Sequence, residues 1–307
     1  VHFCAYALIC TAEIRKNTEL EEGKVLSKQE ADELRGFAID IRIRCMEPFK
    51  AIGVGHVGGS MSVADLMACL YGRIMRIDPA RPRWEERDRI IMSKGHAGPA
   101  MYSALALKGF FDPEELKTLN RLGTHLPSHT DRNRTPGVDM TTGSLGQGFS
   151  SGLGIALGCK LKGLGNYTYI ILGDGELGEG QVWECALFAP AKGLENVIVF
   201  VDANGYQLDG TTDEVLALGD VAQKFSDFGW AAFDVADGND VEAICSAVES
   251  AKAVSGKPKL IVLHTVKGKG CAAALDPSIP TNHNMGVSCE VADATIADLL
   301  REKEMLK

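Results

Sequence analysis

The feature that most constrains this chain is a strand, turn, helix, strand pattern over residues 169–206. Two apolar runs, Tyr169-Ile170-Ile171-Leu172 and Val199-Phe200-Val201, bracket Gly173-Asp174-Gly175-Glu176-Leu177-Gly178-Glu179-Gly180 and a helical segment. A glycine turn between a β-branched run and a helix reads as a βαβ unit, which requires a parallel sheet. Ligands of such sheets bind beyond the carboxyl ends of the strands, where Asp174 and Asn204 fall.

Two chemistries fit the turn. Gly173, Gly175 and Gly178 spell G-x-G-x-x-G, and Asp202 ends the next strand 24 positions after Gly178. That is close to the place of a ribose-binding acid in a dinucleotide-binding fold, and it would make an NAD-binding protein. Against this, Asp174, Glu176 and Glu179 crowd the turn. Three carboxylates repel a pyrophosphate drawn only by helix N–H groups and the helix dipole. A hard divalent cation resolves the repulsion, because Mg²⁺ takes a few protein oxygens and completes its shell with phosphate. Asp174 then supplies a carboxylate, Asn204 an amide oxygen and Tyr206 a main-chain carbonyl. A third reading makes both turns no more than tight connections.

The rest of the chain alternates helices and strands. Ser27 and Glu30 suggest a capping box opening a helix to about Lys50. Gly53-Val54-Gly55-His56-Val57-Gly58-Gly59-Ser60 is expected to be a loop, followed by a helix over about 62–76. Residues 88–93 read as a strand, with Lys94-Gly95-His96 at its carboxyl end and a helix after it. A helix near 113–119 leads into a long irregular region, 123–140, which holds His125 and His129; loops of that length are usually functional or disordered. Thr142-Gly143-Ser144-Leu145-Gly146-Gln147-Gly148 opens a helix of small residues, 150–162. Strands follow at about 230–235 and 260–264, with helices at about 220–228 and 240–254. Residues 267–289 are expected as a loop, and a short helix closes the chain. Lys267-Gly268-Lys269-Gly270 is a small cationic loop that either receives phosphate or is solvated. Alternating strands and helices make a doubly wound α/β domain with a mostly parallel sheet and helices on both faces. No linker is visible, so residues 27–307 form one domain after an N-terminal extension, 1–26.

Histidines 56, 96 and 129 sit in glycine- or proline-flanked positions around one sheet edge, and His283 lies in the last loop. Metal binding by these histidines is the generic alternative, but no H-x-x-x-H or H-E-x-x-H spacing supports zinc.

G-D-G with an Asn 30 residues after the Asp resembles the motif of thiamine-diphosphate enzymes. The wording from Gly173 to Ala189 is similar to the transketolase family, particularly its separately encoded N-terminal subunit. Gly55-His56-Val57-Gly58, Ser93-Lys94-Gly95-His96, Ser128-His129-Thr130-Asp131 and Thr135-Pro136-Gly137-Val138-Asp139 resemble further family elements, as does Gly143-Ser144-Leu145-Gly146-Gln147-Gly148. Val57 replaces a proline, and Asn282 and Asn284 make the His283 match weaker. The resemblance covers about residues 27–290.

It implies a thiamine-diphosphate-binding fold, with Mg²⁺ (or Ca²⁺) held by Asp174, Asn204 and the Tyr206 carbonyl. Diphosphate would lie on the Gly175 backbone and His96, with Gly143 and Leu145 lining the cofactor. His56, His129 and His283 would face a ketose. Glu179 and Glu184 would stand at a dimer interface linking two cofactor sites, which puts Glu179 in the cofactor set. The implied reaction moves a two-carbon ketol unit from a ketose phosphate to an aldose phosphate, in carbohydrate metabolism of the pentose phosphate type. The family's pyrimidine-binding half has no counterpart here. The resemblance therefore implies a C-terminal partner subunit in an α2β2 assembly. Relatives in thiamine-diphosphate chemistry, a deoxyxylulose-phosphate synthase or a 2-oxo acid dehydrogenase component, are the alternatives.

Composition sets the remaining bounds. A net charge of −9 without a basic run argues against nucleic acid. Nine cysteines with no C-x-x-C suggest a reducing cytoplasm rather than a disulfide framework. The apolar residues 1–11 are too few to span a bilayer and lack a basic leader pattern, so no membrane role is expected.

Overall fold

The computed structural model describes residues 26–208, 210–276 and 282–306. Five strands form the main sheet: β1 (Arg89–Met92), β2 (Thr168–Gly173), β3 (Val197–Ala203), β4 (Ala231–Val235) and β5 (Lys259–His264). Their spatial order is β1-β2-β3-β5-β4, and every pairing in the sheet is parallel. Successive side chains leave opposite faces. Ile90, Met92, Tyr169, Ile171, Ile198 and Phe200 enter one core, while Ile91, Ile170, Leu172, Val197, Val199 and Val201 enter the other. Burial on both faces is why these strands read as continuous apolar runs rather than alternating ones.

Helices cover both faces. In chain order they are α1 (Lys28–Ile52), α2 (Val57–Ser62), α3 (Ala64–Cys69), α4 (Gly98–Leu107), α5 (Gln147–Leu161), α6 (Gly180–Ala191), α7 (Val221–Asp227), α8 (Val241–Ala253) and α9 (Cys289–Glu304). The first core takes residues from α1, α2, α3, α4, α8 and α9; the second takes them from α5, α6 and α7. The expected capping box is present: Ser27 accepts from Glu30 N–H while the Glu30 carboxylate accepts from Ser27 N–H. Among the described residues no helix is long and apolar enough to cross a membrane.

Four expectations are corrected. The glycine-rich stretch 53–60 is not a loop throughout, because Val57–Ser62 forms a buried helix. Gly53 takes a left-handed φ of +77° where α1 ends, whereas Gly58 and Gly59 serve proximity: a Cβ on Gly58 would lie 2.8 Å from the Asn282 carbonyl, and one on Gly59 would lie 3.2 Å from His96 Nε2. The helix expected over 62–76 is broken into α3 and a π-helical turn, Leu70–Ile74. The last loop is pinned by an antiparallel pairing of Val54–Gly55 with Met285–Gly286, and the closing helix is 16 residues long and packs on α1. Leu26, assigned to the extension, is buried in the first core; residues 1–25 lie outside the described residues.

The glycines of α5 divide by environment. A Cβ on Gly148 would meet the Ser93 Cα at 2.6 Å, whereas Gly154 has nothing within 4 Å. Gly148→Ala should therefore cost about 1–3 kcal/mol through overpacking against main chain. Gly154→Ala should gain roughly 0.5–1 kcal/mol from helix propensity. Urea unfolding of the two variants checks this; shifts of the same sign would contradict the packing described.

Candidate active site

The carboxyl ends of four adjacent strands meet at one place. β1 leads to His96, β2 to Asp174, β3 to Asn204, and β5 to Thr265 and Lys267. Between them lies a cavity of about 300 Å³ lined by His56, His96, His129, Gly143, Leu145, Asp174, Gly175, Asn204, Tyr206 and His283. Every candidate site residue except Glu179 is thus brought together. Glu179 is exposed at the N-cap of α6, and Glu184 is exposed further along that helix.

A buried ion pair underlies the site. Lys94, 1% exposed, sets its Nζ 2.5 Å from Oδ2 of Asp202, which is 0% exposed. The same Asp202 oxygen accepts from Ser62 Oγ and Asn204 Nδ2, both at 2.8 Å, and Oδ1 accepts from Thr265 Oγ1 at 2.5 Å. Burial works against the carboxylate, but Lys94 and these hydrogen bonds hold its pKa below the usual carboxylate value. Asp202 is enclosed and engaged at both oxygens, so it does not reach a ribose, and the dinucleotide reading fails on geometry.

The glycine turn fails that reading too. Asp174 Oδ1 accepts from Gly175 N–H at 2.8 Å, and Oδ2 accepts from Gly205 N–H at 2.7 Å. Glu176, also buried, accepts from Ser93 Oγ at 2.5 Å, Gly146 N–H at 2.8 Å and Gly173 N–H at 3.1 Å. These main-chain donors are spent on carboxylates. The Gly175 N–H expected at a diphosphate is among them, although Gly175 does line the cavity.

The donor set suits a hard cation. Asp174 brings a carboxylate, Asn204 an amide oxygen and Tyr206 a carbonyl, all oxygen ligands of the kind Mg²⁺ takes. Burial, reinforced by the Asp202 charge, pushes the Asp174 carboxyl up to about 6, the mark of a carboxylate short of compensating positive charge. Asn204 Nδ2 is committed to Asp202, so its Oδ1 faces the Tyr206 main chain, 3.2 Å from that N–H. Lys267 Nζ stands 3.4 Å from the Tyr206 carbonyl, and burial lowers its pKa. Lys267 is buried at the cavity, so of the two readings of the cationic loop solvation does not describe it.

Four imidazoles form the opposite wall. Ring centroids lie 4.5 Å apart for His96–His283, 5.4 Å for His56–His283, 5.6 Å for His56–His96 and 6.0 Å for His56–His129. Among the described residues no group of three or more His, Cys, Asp or Glu is arranged to hold a metal ion, so the cluster is not a zinc site. Burial lowers all four pKa values, His96 to about 2 and His283 to about 4. Lys94 adds to the effect at His96 and Lys267 at His283. At neutral pH the wall is uncharged, and His96 serves as a hydrogen-bonding group rather than a proton carrier.

The loop carrying Gly143 and Leu145 is tied to β1. Thr142 Oγ1 donates to the Met92 carbonyl at 2.8 Å and pairs with Thr130 Oγ1 at 2.7 Å. Gly143 has φ +151°, and a Cβ there would come 3.4 Å from His129. Lys94 and Glu176 were not singled out as functional by sequence. The available signal was a Lys and an acid at adjacent strand ends of a buried sheet, each of which needs a partner.

Residues 35–284 match the family model described as "Transketolase, thiamine diphosphate binding domain". The chain belongs to the transketolase family. It is 49% identical over 277 residues to a 6-deoxy-6-sulfo-D-fructose transketolase subunit (SqwG) of Clostridium sp. strain MSTE9, covering 90% of this chain and 99% of that one. It is 37% identical over 229 residues to an apulose-4-phosphate transketolase subunit of Phocaeicola vulgatus, covering 75% and 81%. Transketolase from Campylobacter jejuni superposes with a TM-score of 0.79 at 28% identity, over 92% of this chain and 47% of that one. A Pichia stipitis transketolase gives 0.75 at 31%, over 89% and 45%. The chain therefore spans just under half of these solved transketolases and nearly the whole of the SqwG subunit. This transketolase-family chain is of the subunit type, and its fold is the thiamine-diphosphate-binding α/β sheet read from the sequence.

The buried neutral histidines couple stability to pH. A folded-state pKa below the unfolded value near 6.5 means that the unfolded chain binds more protons below that pH. Stability should fall as pH drops from about 6.5, with His96 alone contributing about 1.4 kcal/mol per pH unit. Asp174, raised to about 6, offsets part of this between its unfolded value and 6. His96→Asn should flatten the dependence by one proton in urea unfolding between neutral and mildly acidic pH. An unchanged slope would mean that His96 is protonated in the fold.

Proposed function

We propose that this chain supplies the diphosphate-binding half of a two-chain transketolase, with Asp174, Asn204 and the Tyr206 carbonyl holding Mg²⁺. The observation that carries the reading is the single cavity where these oxygens face Lys267 and four neutral histidines. Thiamine diphosphate, when bound, supplies the carbanion-stabilising chemistry of ketol transfer. The chain's own residues bind and orient. Lys267 and His96 stand where they meet a diphosphate, and Gly143 and Leu145 wall the cofactor. His56, His129 and His283 would hold hydroxyl groups of a sugar; their place on the cavity wall supports this, as neutral donors and acceptors that carry no charge to repel a cation.

The substrate class is a ketose with a terminal anionic group. The 49% identity to a sulfofructose transketolase subunit supports a sulfonated hexose as the first candidate, with a ketose phosphate as the second. Among the described residues lining the cavity, the cations are Lys267 and the buried Lys94, with no arginine, so recognition of the anionic tail falls to a partner chain. The subunit naming of the relatives supports such a partner, and an α2β2 assembly with the site at the interface follows the symmetry of closed oligomers. The exposure of Glu179 and Glu184 on α6 supports a role for them at that interface. The seven described cysteines are all free, which supports work in a reducing cytoplasm.

The test mixes the purified chain with a C-terminal transketolase subunit, thiamine diphosphate and Mg²⁺. Ketol transfer from 6-deoxy-6-sulfofructose is expected only with both chains, and removal of Mg²⁺ should abolish it. Turnover by this chain alone would overturn the two-chain reading. Activity with xylulose 5-phosphate but not the sulfonate would overturn the substrate assignment and leave the two-chain reading intact.

A further inference from the structure

A second cavity lies at the other end of the edge strand, where β1 begins rather than where it reaches His96. It measures about 610 Å³ and is walled by the segment Pro82–Arg89, the segment Arg132–Asp139, and the face and end of α5. Six cationic side chains line it: Arg83, Arg87, Arg89, Arg132, Arg134 and Lys162, against only two carboxylates, Glu85 and Asp139. The chain as a whole carries a net charge of −9, so this is a local reversal of sign.

The two carboxylates are already engaged. Arg87, almost fully buried, holds Asp139 with both terminal nitrogens at 3.0 and 2.6 Å, and Arg89 stands 3.6 Å from the same carboxylate. Asp139 also accepts from Ile90 N–H at 2.9 Å, which fixes this floor to the sheet. Glu85 pairs with Lys162, and Arg134 leans on Asp131 at 3.4 Å. Arg83 and Arg132 have no side-chain hydrogen bond or ion pair among the described residues, and both are exposed at the cavity. Two guanidiniums without counter-charges beside a fixed, positively charged floor suit phosphate or sulfonate oxygens, which guanidinium takes in forked pairs. Ile155 and Leu164 add an apolar wall, which suits an organic body.

We propose that this cavity binds a small organic anion carrying phosphate or sulfonate groups, at a place separate from the catalytic cavity. Arg83 and Arg132 grip the anionic groups from opposite segments. An occupant braces the chain between His129, on the catalytic cavity, and Asp139, on the sheet edge. The inference does not depend on the cofactor reading.

The experiment titrates the full chain with ADP by calorimetry without divalent cations, at low and at high salt. Binding is expected, weaker at high salt, and about tenfold or more weaker in the Arg83→Ala/Arg132→Ala variant. Lys267→Met, which removes one of the two lysines lining the catalytic cavity, should leave it unchanged. Both arginines are exposed, so the double variant should fold, and matching circular dichroism checks this. No ADP binding, or equal affinity in the double variant, overturns the proposal. Loss of binding in Lys267→Met instead puts the anion in the catalytic cavity and overturns it too. The titration is then repeated on the assembly with the C-terminal subunit. Binding that disappears there means a partner chain covers the cavity, which overturns the small-anion assignment in favour of a docking surface.

Discussion

The Lys94–Asp202 pair is the interaction on which the site depends. It is buried on all sides, so neither charge is tolerable without the other. Its hydrogen bonds gather β1, β3, the residues of α2 and the loop after β5: Lys94 also donates to the Gly59 carbonyl at 3.0 Å, and Ser62 and Thr265 donate to Asp202. The pair also fixes Asn204. A carboxylate accepts only, so the Asn204 amide must present its NH₂ to Asp202 and turn its oxygen toward the Tyr206 main chain. The identity of one donor group is thus set by a charge pair one layer below it.

Above that layer the site is an electrostatic balance. Asp174 and Glu176 consume the main-chain N–H groups of the glycine turn, leaving a buried carboxylate whose pKa is raised by burial. Lys267 reaches the Tyr206 carbonyl from the far side, and four uncharged imidazoles close the wall. Such a site favours a divalent cation together with a diphosphate: the cation answers Asp174, and the diphosphate answers the cation and Lys267.

Much of this was legible in the chain. The parallel sheet followed from two β-branched runs around a glycine turn, and four strand ends located the ligand side. The candidate residues 56, 96, 129, 143, 145, 174, 175, 204, 206 and 283 all reach one cavity because each follows a strand or lies in a loop tied to one. Packing was the part that local sequence could not convey. Gly58 and Gly59 look like loop glycines, yet they lie in a helix, where the Asn282 carbonyl leaves no room for a Cβ on Gly58 and His96 leaves only a tight fit on Gly59. Asp202 looked free to bind a ribose because nothing local shows that Lys94, 108 residues away, occupies it. Glu179 lies on the surface at the N-cap of α6, outside the cavity, as a residue expected at an interface would.

The most direct test of the metal-diphosphate clamp is calorimetric titration of the chain with thiamine diphosphate, with and without Mg²⁺, for wild type and Asp174→Asn. Binding that requires Mg²⁺ in the wild type and is lost in the variant is the predicted result. Equal affinity with and without Mg²⁺, or an unchanged affinity in Asp174→Asn, would contradict the assignment of Asp174 as the anchor of the cation.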